Sequence, residues 1–210
     1  MLRKLRPLIA RVMLPIGRLL ARAGITPTMV TLTGAIGVLA SALFFYPRGD
    51  LYVGSAVVTV FVLFDMLDGA VARASDSASP WGAFLDSTLD RLSDAAVFSG
   101  LLLWFTTGGD DPVLAGVVLF CLVGGFGVSY IKARAEGLGV NCDVGIAERS
   151  ERLVIVLVSV GLGGLGVPYV MEAGLWILAL LCALTIAQRL VETRARLSEP
   201  SRRVGDAEAP

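Results

Sequence analysis

Long apolar runs separated by short polar breaks organise this chain. A helix that crosses a bilayer needs about 20 mostly apolar residues. Six stretches approach that length: 29–46, 52–74, 81–106, 113–133, 153–169 and 175–190. The breaks carry turn chemistry: "YPRGD", "SDSASP", "TGGDDP", a long polar stretch "ARAEGLGVNCDVGIAERSER", and "GGLGVPYVMEAG". Ahead of the first run, Arg3, Lys4, Arg11, Arg18 and Arg22 alternate with leucine and isoleucine at near-helical spacing. That pattern over residues 1–24 predicts an amphipathic helix lying on an anionic lipid surface. The segment has no small-residue cleavage site after a compact apolar core, so it does not read as a signal peptide. The polar end, residues 197–210, reads as disordered. The expected architecture is all-α and integral to a membrane. One domain spans 1–196, with an interfacial helix over 1–24 followed by six transmembrane helices within 29–190.

Composition agrees with this class. Hydrophobic residues make up 55% and charged residues 17%, against about 45–50% and 25% in soluble domains. Lys+Arg and Asp+Glu number 18 each, so no global charge argues for a nucleic-acid partner. The distribution of charge says more. The N-terminal segment, the break holding Arg73, the stretch from Lys132 to Arg152 and the C-terminal end are basic, and the opposite loops hold only Arg48. With six crossings the basic segments fall on one side, which the positive-inside rule places in the cytoplasm of a cell-membrane protein. The three cysteines, Cys121, Cys142 and Cys182, are far apart and read as small buried hydrophobes. Histidine is absent, which removes the commonest general base and transition-metal ligand. Acid–base or metal chemistry must therefore use carboxylates.

Those carboxylates are concentrated in the second and third runs. Asp65, Asp68, Gly69 and Ala72 fall within one arc of roughly 100° on a helix. Gly82, Asp86 and Asp90 recur at i, i+4, i+8 on the next. At about 1.5 Å of rise per residue, Asp68 and Asp86 lie about 8–9 Å from the helix ends, and Asp65 and Asp90 about 13–14 Å. Antiparallel neighbours would therefore pair Asp68 with Asp86 and Asp65 with Asp90. Four acids so close need a cation in a low dielectric. Oxygen-only ligands favour one or two Mg2+ or Mn2+ ions over zinc. A proton or cation pathway, as in a cation-coupled transporter, is the rival on this feature alone. Against it, Gly69 and Ala72 bare the helix surface as a bulky phosphorylated ligand requires. A transporter would also favour an inverted repeat, and the acid motif does not recur in the second half. Arg73, one turn away, has a fork that suits phosphate oxygens, or it anchors topology.

The string Asp65-x2-Asp68-Gly69-x2-Ala72-Arg73-x8-Gly82-x3-Asp86-x3-Asp90 resembles, without a gap, the signature of the CDP-alcohol phosphotransferase family. The upstream "ITPTMVTLTG" resembles the family's Thr-Pro-Asn-x2-Thr segment, with Thr28 where many members have Asn. The resemblance implies a CDP-diacylglycerol donor in a cytoplasm-facing cavity and six transmembrane helices in a homodimer. It implies Asp65, Asp68 and Asp86 as metal ligands, with Asp90 sharing the site and acting as general base. Gly69, Ala72 and Arg73 would cradle the cytidine diphosphate, with Pro27, Thr28 and Thr31 beside them.

The stretch from Ser129 to Arg152 holds more basic charge than topology needs, with Lys132, Arg134, Arg149 and Arg152 near the ends of two helices. It predicts a second anion site, for a phosphorylated acceptor, or else ordinary positive-inside charge. The "ARAEGLG" and "GIAERSER" stretches resemble those of the bacterial phosphatidylinositol-phosphate synthases. By that resemblance Ser129, Lys132, Arg134 and Arg152 would hold inositol 1-phosphate, with Arg189 or Arg194 helping. The runner-up acceptor is glycerol 3-phosphate, as in the phosphatidylglycerophosphate synthases.

Overall fold

The computed structural model describes residues 6–198, with side chains from Met13 onward. Arg3 and Lys4 of the expected interfacial helix, and 199–210 of the expected disordered end, lie outside the described residues. Among the described residues eight α-helices follow one another: α1 (Arg6–Arg22), α2 (Pro27–Phe45), α3 (Leu51–Asp65), α4 (Asp68–Ala74), α5 (Pro80–Thr107), α6 (Pro112–Glu136), α7 (Arg149–Gly164) and α8 (Val170–Ser198). The last one continues past residue 196, so 197 and 198 are helical rather than irregular.

Three helices begin with the same device. Thr26, Ser79 and Asp111 each accept a hydrogen bond from a backbone N–H in the first turn of α2, α5 and α6, and a proline stands next in each case. The cap satisfies a donor the helix leaves orphaned, and proline has no N–H to orphan. The expected helix over 52–74 is not continuous. After Asp65 the ladder tightens, with the Leu67 amide donating to the Phe64 carbonyl (3.0 Å), and resumes where Val71 donates to Leu67 (2.8 Å). The two acids Asp65 and Asp68 therefore flank a tight turn, which frees each carboxylate from the fixed spacing of one regular helix.

Six helices close a ring in the order α2, α3, α7, α8, α6, α5, each packed on its two neighbours. Val38, Leu101, Val118, Val156 and Leu178 fill its centre. The outer surface is also apolar: Val60, Val123 and Leu180 are each at least 60% exposed. A protein apolar on both sides of its helices faces lipid rather than water. α2 with its last turn (Pro27–Arg48), α3 with α4 (Leu51–Ala74), α6 and α8 are long and apolar enough to cross a bilayer. This is a multi-pass membrane protein.

α1 packs along α4. Gly17 makes that contact possible, since a Cβ there would stand 2.8 Å from the Ala70 Cβ. Met13, Leu20 and Ile25 pack with Val30, Leu67 and Val71 in a small second core. The N-terminal helix is thereby fastened to the segment that carries Asp68 and Gly69. All three cysteines are buried and unpaired, as expected.

Candidate active site

The acids converge at one end of the ring. Carboxylate oxygens of Asp65, Asp68 and Asp86 all lie within 4.8 Å of one another. Each reaches that point differently. Asp65 ends α3 and is 9% exposed. Its approach to α2 depends on Gly34, where a Cβ would stand 2.8 Å from the Asp65 Cβ. Asp68 opens α4 and accepts a 2.8 Å hydrogen bond from the buried Thr31 hydroxyl. Asp86 comes from the second turn of α5. Three hard oxygen donors fit a divalent ion of the Mg2+ or Mn2+ kind, and among the described residues no cationic side chain comes closer to Asp65 than Arg149, at 4.0 Å.

Asp90, one turn after Asp86, stands outside this trio. Arg149 donates to its Oδ1 at 2.6 Å, and Arg91 lies 3.6 Å from its other oxygen. So the acids divide, with three grouped together and the fourth paired to a guanidinium from α7. Sequence spacing could not show this pairing, because 59 residues separate the partners.

Two cavities flank the acids. The first, about 520 Å3, is lined by the ends of α1 and α2, by α4 and by the start of α5. Its walls include Pro27, Thr28, Thr31, Asp68, Gly69, Ala72, Gly82 and Asp86. A Cβ on Gly69 would meet only the Arg73 Nη1, at 3.3 Å, so this surface is bare. Arg73 itself is exposed and does not line the cavity. The capped starts of α2 and α5 both border this space, so two partial positive charges face it.

The second cavity, about 740 Å3, lies between α5, α6, α7 and α8 on the Asp90 side. Ser129, Lys132, Arg149, Arg152, Arg189 and Asp90 line it, with Arg91 and the acids Glu136, Asp143 and Glu148. Lys132 pairs with Asp143 at 2.6 Å at its edge. Arg189, 5% exposed, donates from Nε to the Val144 carbonyl (2.9 Å) and from Nη1 to Val128. Thr185 accepts from the amides of Ile146 and Ala147. Together they clamp the 139–148 stretch onto α8. Gly145, at φ 127°, fits where any Cβ would strike the Thr185 methyl at 2.5 Å. Arg134 is exposed and lines neither cavity. Arg149, one of the basic residues that predict the second anion site but not one of those the family resemblance implies, stands against Asp90, and Arg152 is buried beside it.

Residues 24–187 match the family model for CDP-alcohol phosphatidyltransferases. The chain belongs to that family. The phosphatidylinositol phosphate synthase of Streptomyces avermitilis is 46% identical over 201 residues, covering 92% of this chain and 82% of that protein. The enzyme of the same name from Mycolicibacterium smegmatis is 46% identical over 191 residues, covering 89% and 86%. The Mycobacterium tuberculosis phosphatidylinositol phosphate synthase, in a crystal structure with CDP-DAG bound, superposes with a TM-score of 0.83 at 45% identity, covering 87% of this chain and 94% of that one. A second crystal structure of that enzyme, in complex with manganese and citrate, gives the same TM-score and identity. As a CDP-alcohol phosphatidyltransferase the protein is a transferase, and the transporter alternative falls away.

Proposed function

We propose that this phosphatidyltransferase joins CDP-diacylglycerol to inositol 1-phosphate, giving phosphatidylinositol phosphate and CMP. The observation that carries the reading is a group of acids with a cavity on one side that is bare at Gly69 and lined by no basic side chain, and a cavity on the other side lined by arginines and a lysine. Relatives at 45–46% identity bear the corresponding name, and one of them binds CDP-DAG. The donor's cytidine diphosphate lies over Gly69 and Ala72, between Pro27, Thr28 and Thr31, with Arg73 at the entrance. A phosphate of the donor suits the two helix N-termini there.

Asp65, Asp68 and Asp86 would hold Mg2+ or Mn2+, and the negative charge of the four acids leaves room for a second ion shared by Asp90. When bound, the metal offsets charge on the donor's phosphates and on the leaving CMP. The chain's own residues do the rest. Ser129, Lys132, Arg149, Arg152 and Arg189 supply the hydrogen bonds and positive charge of the acceptor's phosphate pocket. The exposed Arg134 adds charge outside it. Asp90 borders that pocket and takes the proton from the acceptor hydroxyl. The new O–P bond forms at the β-phosphorus as the bond to the CMP oxygen breaks.

The same reading takes α5 and α7 as crossings, making six with an interfacial α1. α5 is 28 residues long, turns Asp86 and Asp90 toward the cavities and buries Asp94. Among the described residues, Arg48 is the one Lys or Arg at the far end, which supports an active site facing the cytoplasm across the cell membrane. Residues 1–196 then form one membrane domain, and the family resemblance supports a homodimer. The test is an acceptor screen on purified protein with CDP-diacylglycerol and Mn2+. Lipid product from inositol 1-phosphate is expected. Product from glycerol 3-phosphate alone would transfer the assignment to phosphatidylglycerophosphate synthesis.

A further inference from the structure

A cavity lined by Arg149, Arg152, Arg189 and Lys132 has a problem before any ligand arrives. Like charges confined together splay apart or lose their charge unless something opposes them. Lys132 solves this at the rim through Asp143. The two α7 arginines solve it from behind, through a residue absent from the acid signature.

Asp94 continues the Gly82, Asp86, Asp90 stripe of α5 by one more turn. It is 7% exposed and does not line the basic cavity. Its two oxygens are divided between two guanidiniums: Oδ1 accepts from the Arg149 Nε at 3.2 Å, and Oδ2 from the Arg152 Nη2 at 2.9 Å. Arg152 is 2% exposed, and its Nη1 is engaged by the Ala147 carbonyl at 3.1 Å. Arg149 is less buried, and its Nη1 lies 2.6 Å from Asp90 and 4.0 Å from Asp65. One carboxylate on α5 thus sets the positions of two arginines on α7, and through Arg149 the neighbour of Asp90.

We propose that Asp94 is a positioning residue for the acceptor pocket. It touches neither substrate nor metal. It holds Arg149 and Arg152 at the spacing that an acceptor phosphate requires, and it supplies their counter-charge on the side away from the incoming anion. The inference rests on the proposed two-substrate reading of the cavities, and it assigns the pocket a back wall that the signature does not contain.

The experiment compares wild type, Asp94→Asn and Asp94→Glu in detergent with CDP-diacylglycerol. It measures KM for inositol 1-phosphate, KM for the donor, kcat, and Mn2+ affinity. Displacing a positioned group by about 1 Å costs on the order of 100-fold. The acceptor KM is therefore expected to rise about tenfold or more in Asp94→Asn and less in Asp94→Glu, which keeps the charge. The donor KM and the Mn2+ Kd should stay within about twofold. An acceptor KM unchanged in both variants, or donor and acceptor KM rising together, overturns the proposal. If Asp94→Asn does not fold, Asp94→Glu decides alone: a rise of at least about threefold, confined to the acceptor, supports it and anything less overturns it. If wild type uses glycerol 3-phosphate and not inositol 1-phosphate, the acceptor assignment fails, and the same split is required with glycerol 3-phosphate. A wild type inert with both acceptors overturns both inferences.

Discussion

Replacing Thr31 by valine tests whether the acid trio is a metal centre and whether its surroundings matter. Thr31 is 5% exposed, and its hydroxyl lies 2.8 Å from the Asp68 Oδ2 and 3.0 Å from the Pro27 carbonyl. One hydroxyl proton cannot serve both acceptors at once, and the charged carboxylate is the stronger. Valine keeps the shape and puts a methyl where the oxygen was, so the change removes one hydrogen bond without opening a void. A hydrogen bond to a charged group contributes about 1.5–3 kcal/mol, and about 1.4 kcal/mol is a factor of ten in an equilibrium constant. Mn2+ binding to the valine variant should therefore weaken by about 10–100-fold, in line with other groups that orient metal ligands. Thr31→Ser, which keeps the hydroxyl, should stay near wild type. The assay is the loss of the free Mn2+ paramagnetic resonance signal on titration into purified protein. A valine variant that binds Mn2+ within about threefold of wild type refutes the reasoning. So would a serine variant that loses as much affinity as valine.

Two further outcomes follow from the division of the site. Asp90→Asn should lower kcat by about 100-fold or more while leaving in place the Mn2+ ion held by Asp65, Asp68 and Asp86, because Asp90 stands outside those three grouped acids; a variant with near-normal turnover, followed by release of CMP, removes Asp90 from the base role. Gly69→Val should fold normally, since its Cβ meets only the end of Arg73, yet raise the donor KM about tenfold or more by filling the cradle; unchanged donor KM at unchanged thermal stability places the donor elsewhere.

Short-range relations were readable from the chain. The apolar runs and the carboxylates of consecutive segments joined by a short break depend on local geometry, and periodicity reports local geometry. The meeting of Asp68 with Asp86 was reachable this way because only residues 75–79 separate α4 from α5; depth alone pairs Asp65 with Asp90, and it is the family resemblance that implies Asp65 in the trio. Asp94 left a signal, one more step of four residues along the same stripe, but on the sequence it is merely another acid. Its meaning lies in Arg149 and Arg152, more than 50 residues away. The same limit explains Arg134 and Arg152: both are basic and near the right helix ends, yet Arg134 is exposed and lines neither cavity, while Arg152 is buried in the wall of the basic one.

The chain by itself determined that this is a helical membrane protein whose acids require a cation, because hydropathy and helical period act residue by residue. Only the tertiary structure decided how those acids are shared. Ring closure brought α7 against the acid-bearing end of the bundle, paired Asp90 with an arginine and left the other three together. That choice is set by which helices can bury each other's faces, and no local pattern encodes it.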